Sequence, residues 1–167
     1  MVKQALRQGN EGKSDRETKN QYLNVEVVIV TGDKDLGQLV NEKVKLFMPV
    51  KGLSEAQLFG EKEVFEKMGI KPEQIVDYKA LVGDPSDNYP GVPGIGPKGA
   101  IDLLQKFKTL ANIYPSLPAI SSPVLAKKLA DGTESAFLSQ KLATVVTEAP
   151  VDLKLEEAVL KDFNRPE

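Results

Sequence analysis

The chain has 167 residues, 41% of them hydrophobic and 28% charged, with a net charge of −2 and neither cysteine nor histidine. That is enough for one good core, or one domain plus a small appendage, of ordinary soluble composition. It excludes disulfides, thiol nucleophiles, cysteine zinc sites and the usual imidazole base, which leaves carboxylates with a hard metal as the most economical route to any hydrolysis.

No apolar run approaches ~18 residues, and the polar start, Met1 to Asn24, is unlike a signal peptide. No membrane partner is expected, and the cytoplasm is the default location. Val2 to Gln8 has mild helical character but is too short to stand alone, and Gly9 to Asn24 reads as a polar loop or disordered segment. Val25 to Val30 is a nearly continuous β-branched run, the pattern of a parallel strand buried on both faces. A short helix over Asp35–Val40 follows, then a strand over Val44–Val50, a turn at Lys51-Gly52 and a returning hairpin strand over Glu55–Phe59. Two or three strands are few for a parallel sheet.

From Glu61 onward the reading is helical. Glu61–Met68 stops at Gly69, Pro72 opens Glu73–Val82 with Ile75, Val76, Ala80 and Leu81 as its stripe, and Pro97 opens Lys98–Phe107. Thr109 caps a turn to Tyr114, Pro123 opens Val124–Ala130, Thr133 caps Glu134–Val146, and Leu155–Leu160 is a last short helix. Between Gly94 and Ala130 five lysines face one acid, a local charge of +4 suited either to DNA handling or to plain solubility.

Two carboxylate pairs carry the chemistry. Asp33 and Asp35 follow the first strand, where open α/β sheets gather ligands, although one of them can instead cap the helix that follows. Asp84 and Asp87 follow a helix C-terminus, where a negative charge costs ~0.3–1 kcal/mol unless a cation answers it. The pairs matter chemically only if the fold unites them. Directly after comes Gly91-Val92-Pro93-Gly94-Ile95-Gly96-Pro97-Lys98-Gly99-Ala100, a stiff turn between helices. Gly94 and Gly96 flank Ile95, which can plug the helix pair, while the amides and Lys98 face one phosphate without reading bases. Turn and cap chemistry alone is the competing explanation of the whole stretch.

TGDKDLGQLV, KPEQIVDYKA and LVGDPSDNYPGVPGIGPKGA resemble the second half of the 5′ nuclease (5′-3′ exonuclease) domain of bacterial DNA polymerase I, of the flap endonuclease family, from about Val25 to Thr147. The resemblance implies a truncated parallel-sheet (PIN-like) α/β portion followed by an all-α helix–three-turn–helix subdomain. The divisions would be 1–24 as residual helix and flexible segment, 25–82 as the end of the α/β core, and 83–167 as the DNA-binding subdomain with closing helices. It implies a Mg²⁺- or Mn²⁺-dependent phosphodiesterase of replication and repair that trims 5′ ends, flaps and RNA primers. Asp33, Asp35, Asp84 and Asp87 fall at positions of metal-site acids, with no catalytic group beyond those ligands. Gly91, Val92, Gly94, Ile95, Gly96, Lys98 and Gly99 fall in the element that grips the backbone of flap or nicked duplex DNA. Family members often hold K⁺ there. Their earlier half, with further acids including a Glu-x-Asp-Asp cluster, has no counterpart here, and glycine at position 37 replaces a larger residue. The chain therefore reads as a fragment, its partners a missing N-terminal half or a downstream polymerase domain. The alternative is a non-catalytic module that binds duplex DNA through the hairpin.

Overall fold

A computed structural model of the chain describes residues 25–49, 55–151, 153–155 and 157–159. The expectations for Val2–Gln8, Gly9–Asn24 and Lys51-Gly52 lie outside these described residues. Residues 27–145 form one compact unit, and residues 1–26 with 146–167 form another.

In the first unit, β1 (Val27–Val30), β2 (Val44–Pro49) and β3 (Ala56–Phe59) make a sheet of order β1-β2-β3. β1 pairs parallel with β2, and β2 pairs antiparallel with β3, so the sheet is mixed. A 3₁₀ helix over Lys34–Leu39 serves as the crossover between the parallel strands. β1 is not buried on both faces. Its residues alternate, with Val28 49% and Val30 75% exposed. Val30, Phe47 and Leu58 fall in one cross-strand row, so an apolar outer face is open to solvent. A β-branched run has the same composition whether one face is covered or two, and among the described residues β1 is an edge.

The inner face carries Leu46, Met48 and Phe59 into the core. α1 (Glu61–Met68) packs beside it and closes at Gly69, whose φ of 72° lets its N–H reach the Phe65 carbonyl at 2.8 Å. The helix expected over Glu73–Val82 is split. Pro72–Gln74 form a 3₁₀ turn, and α2 (Ile75–Val82) continues from it. α3 (Pro97–Phe107), α4 (Leu110–Ile113), a 3₁₀ turn (Leu117–Ala119), α5 (Pro123–Asp131) and α6 (Thr133–Ala143) complete this unit. Leu81, Leu104, Leu110 and Leu129 are fully buried, each contributing on the order of 1.5–3 kcal/mol.

Thr133 does not cap α6. Gly132 holds that position, and the Thr133 hydroxyl donates back to the carbonyls of Leu129 and Ala130, at 3.2 and 2.8 Å. α6 also ends at Ala143 rather than Val146. There the Gln38 side chain donates to the Ala143 carbonyl at 2.9 Å and accepts the Val145 N–H at 3.0 Å, replacing the next helical turn. In the second unit, the Glu157 N–H donates to the Lys154 carbonyl and the Ala158 N–H to the Leu155 carbonyl, each at 3.1 Å. The helix expected over Leu155–Leu160 lies in part outside the described residues. Among the described residues no helix is long and apolar enough to cross a membrane.

Candidate metal centre and hairpin

The two aspartates after β1 divide their work. Asp33 is the N-cap of the crossover helix, its Oδ1 accepting the Asp35 N–H at 2.9 Å. One cap needs one carboxylate, so Asp35, a turn-residue further on, is free to face α2. Its side chain is 17% exposed.

The second pair is set by a backbone crossing. Gly83 (φ 78°) and Gly91 (φ 61°) lie so close that a Cβ on Gly91 would stand 2.2 Å from the Gly83 nitrogen. Between them Asp84 and Tyr89 exchange backbone hydrogen bonds of 2.9 and 3.2 Å, which close the loop 84–89. Asp84 Oδ1 accepts the Ser86 N–H at 2.9 Å, and Asp87 stands exposed at the apex. Asp35, Asp84 and Asp87 each bring a carboxylate oxygen into a group spanning no more than 4.8 Å. The structure does not bring Asp33 into that group.

Two residues of the site escape sequence reasoning. Lys79, on the last turn of α2, places its ammonium between the acids, donating to Asp35 Oδ1 and to Asp84 Oδ2, the latter at 2.6 Å. The Tyr89 hydroxyl donates to Asp35 Oδ2 at 3.2 Å. The cation that offsets Asp84 at a helix C-terminus is thus supplied within the chain. Burial opposes charge on Lys79, but hydrogen bonds to Asp35 and Asp84 outweigh it and raise its pKa above the ordinary lysine value. The Lys79 hydrogen bond, reinforced by the Ser86 hydroxyl, holds Asp84 well below the usual carboxylate range. Burial pushes the Tyr89 hydroxyl up to about 12. A lysine five residues before an aspartate across a helix end was the available signal, but by type it is indistinguishable from a solvated one.

The donor set fits a divalent ion. Three carboxylates offer only hard oxygens, and Mg²⁺ needs no more than one or two of them beside water and phosphate.

The hairpin begins where the loop closes. The Val92 N–H donates to the Leu81 carbonyl at 2.8 Å, and Val92 and Ile95 are buried, so Ile95 does plug α2 against α3. Gly96 caps α3, Pro97 is its first residue, and Gly94, Gly96 and Lys98 are exposed, with Gly99 half-buried. α6 fixes the hairpin from behind, an anchorage with no sequence signature. The Ser139 hydroxyl accepts the Gly91 N–H at 3.0 Å, and the Ser135 hydroxyl donates to the Gly91 carbonyl at 2.5 Å. The basic stretch is less free than its charge suggests. Lys127 pairs with Asp131 at 2.7 Å, just outside the window, and Lys128 donates to the Gly94 carbonyl at 3.1 Å.

A sequence model described as 5′-3′ exonuclease, C-terminal SAM fold, matches residues 70–166. The chain is 42% identical to DNA polymerase I of Lactococcus lactis subsp. cremoris (strain MG1363) over 153 residues, which is 92% of this chain and 17% of that protein. It is 40% identical to DNA polymerase I of Bacillus subtilis (strain 168) over 140 residues, 84% of this chain and 16% of the relative. The chain thus spans less than a fifth of the length of these curated relatives. Among solved structures it is similar to T5 5′-exonuclease with bound divalent metal ions (zinc), at a TM-score of 0.64 and 25% identity, covering 74% of this chain and 44% of that one.

Proposed function

The chain belongs to the 5′-3′ exonuclease family, a family of nucleases, and from that premise we propose that it is the C-terminal part of a structure-specific 5′-3′ exonuclease and flap endonuclease of DNA polymerase I type. The observation that carries this reading is the continuity of one segment. Asp84 and Asp87 join Asp35 within 4.8 Å, and a few residues later the same chain forms a hairpin with exposed Gly94, Gly96 and Lys98.

In this reading Asp35, Asp84 and Asp87 hold a Mg²⁺ or Mn²⁺ ion, with Asp33 beside them shaping the loop that presents Asp35. A bound divalent ion supplies charge stabilisation at a phosphodiester and lowers the pKa of an attacking water. Lys98 and the glycine amides at the start of α3 receive backbone phosphates of flap or nicked duplex DNA. A K⁺ ion would also be held at the hairpin, where the Gly94 carbonyl accepts from the Lys128 ammonium. A two-metal hydrolase needs more ligands than three carboxylates, so we propose that a segment outside these 167 residues supplies the others. Residues 25–82 would then be the end of the α/β core, residues 83–167 the DNA-binding part, and the cytoplasm its place.

A second reading, a non-catalytic duplex-binding module, is favoured by one observation. The hairpin is complete within α2, α3 and α6, whereas the acids already have an ammonium between them. Both readings place Lys98 on phosphate. Anisotropy of a labelled 5′-flap duplex across a KCl series should show Lys98→Ala weakening binding on every sequence, with a salt slope shallower by about one. Equal affinity and slope for wild type and variant would remove DNA from the reading. Mg²⁺-dependent cleavage separates the nuclease from the module.

A further inference from the structure

We infer that the Lys79 ammonium is the resident counter-cation of the acid cluster and competes with the divalent ion for Asp35 and Asp84. The inference rests on the metal-site reading above and goes beyond it by giving the ion a competitor within the chain.

The geometry has three parts. First, the Lys79 side chain is only 14% exposed, and its ammonium bridges the carboxylates of two side chains that are 17% and 18% exposed. It occupies the space between Asp35 and Asp84 rather than lying across the outside of it. A divalent ion bound there would put like charges in contact, so the side chain must swing away as the ion enters. Its flexible four-carbon stem permits that movement.

Second, each carboxylate has one oxygen on Lys79 and the other on a neutral donor. Tyr89 holds Asp35 Oδ2, while the Ser86 hydroxyl and N–H hold Asp84 Oδ1. Each of these acids therefore keeps a second anchor that does not involve the lysine.

Third, the lysine answers a problem the fold creates. Three carboxylates within 4.8 Å repel one another when no ion is present. An internal ammonium holds them together until an ion arrives, and the ion must then displace it.

The test titrates the full 167-residue chain with Mn²⁺ alone, following free Mn²⁺ by electron paramagnetic resonance, in wild type, Lys79→Met and Lys79→Arg. Lys79→Met keeps the length of the stem without its charge and should bind Mn²⁺ at least about tenfold more tightly. Lys79→Arg keeps the charge and should bind as wild type does. In EDTA, Lys79→Met should melt below wild type, and saturating Mn²⁺ should close that gap. A Lys79→Met protein that is folded by circular dichroism and binds Mn²⁺ no more tightly than wild type overturns the inference.

Should that variant fail to fold, wild type alone decides. The NMR signals of the Lys79 side chain should shift in step with Mg²⁺ occupancy, and signals unmoved at saturation overturn the inference. Mn²⁺ binding to none of the three proteins would overturn the metal-site reading itself, a result distinct from binding that ignores Lys79.

Discussion

A methyl group added at Gly99, in the first turn of α3, would meet nothing closer than Ile95 Cγ2 at 3.8 Å, and one added at Gly96 would meet open space. Gly83 and Gly91 are different. Both have positive φ, and at each a Cβ would collide with backbone. Gly83 and Gly91 therefore let two stretches of backbone cross, while Gly99 leaves the start of α3 low. Gly99 costs the free protein stability, because glycine is a poor helix residue. Gly99→Ala should raise stability in urea by up to about 1 kcal/mol and at the same time weaken flap-duplex binding, since the added methyl stands where the proposed reading brings a phosphate. Stabilisation with unchanged DNA affinity would place the phosphate elsewhere.

Among the elements, α2 is the one on which the others depend, and its buried polar groups act as struts. Asp77, 8% exposed, accepts the Leu110 N–H at 2.8 Å and the Gln140 amide at 2.6 Å, tying α2 to α4 and α6. Gln74 donates to the Leu104 and Lys108 carbonyls at the end of α3. Asp77→Ala would strand one buried and one half-buried donor and should lower stability by about 2–3 kcal/mol in urea unfolding. A loss under about 1 kcal/mol would show that water replaces the carboxylate.

These struts mark the limit of what the sequence discloses. Pro72, Pro97 and Pro123 as openers and Gly69 as a stop are legible because proline and glycine act through their own backbone. The Ile95 plug is legible because its neighbours leave it no other role. Which of Asp33 and Asp35 caps a helix depends on one hydrogen bond, and the position of Lys79 depends on how α2 lies against the crossover helix. Ser135 and Ser139 meet Gly91 across more than forty residues of chain. Contacts of that kind are properties of packing, and residue type does not record them. The exposure of β1 was hidden for the same reason.

At the scale of the molecule, the unit formed by residues 27–145 carries three surfaces of different completeness. The hairpin is whole. The acid cluster holds three carboxylates with a lysine between two of them. The outer face of the sheet is apolar and open at Val28, Val30, Phe47 and Leu58. In the proposed reading the first surface grips DNA, the second holds one ion, and cleavage needs further ligands. The most direct measurement joins the segment that precedes the matched region in the Lactococcus lactis relative ahead of these 167 residues, and follows cleavage of a 5′-flap duplex in Mg²⁺ or Mn²⁺. The account predicts metal-dependent cleavage that Asp87→Asn lowers at least about 100-fold while flap affinity stays within about threefold. A fusion that binds flap DNA and never cuts it, or one that cuts equally well with Asp87→Asn, would contradict it.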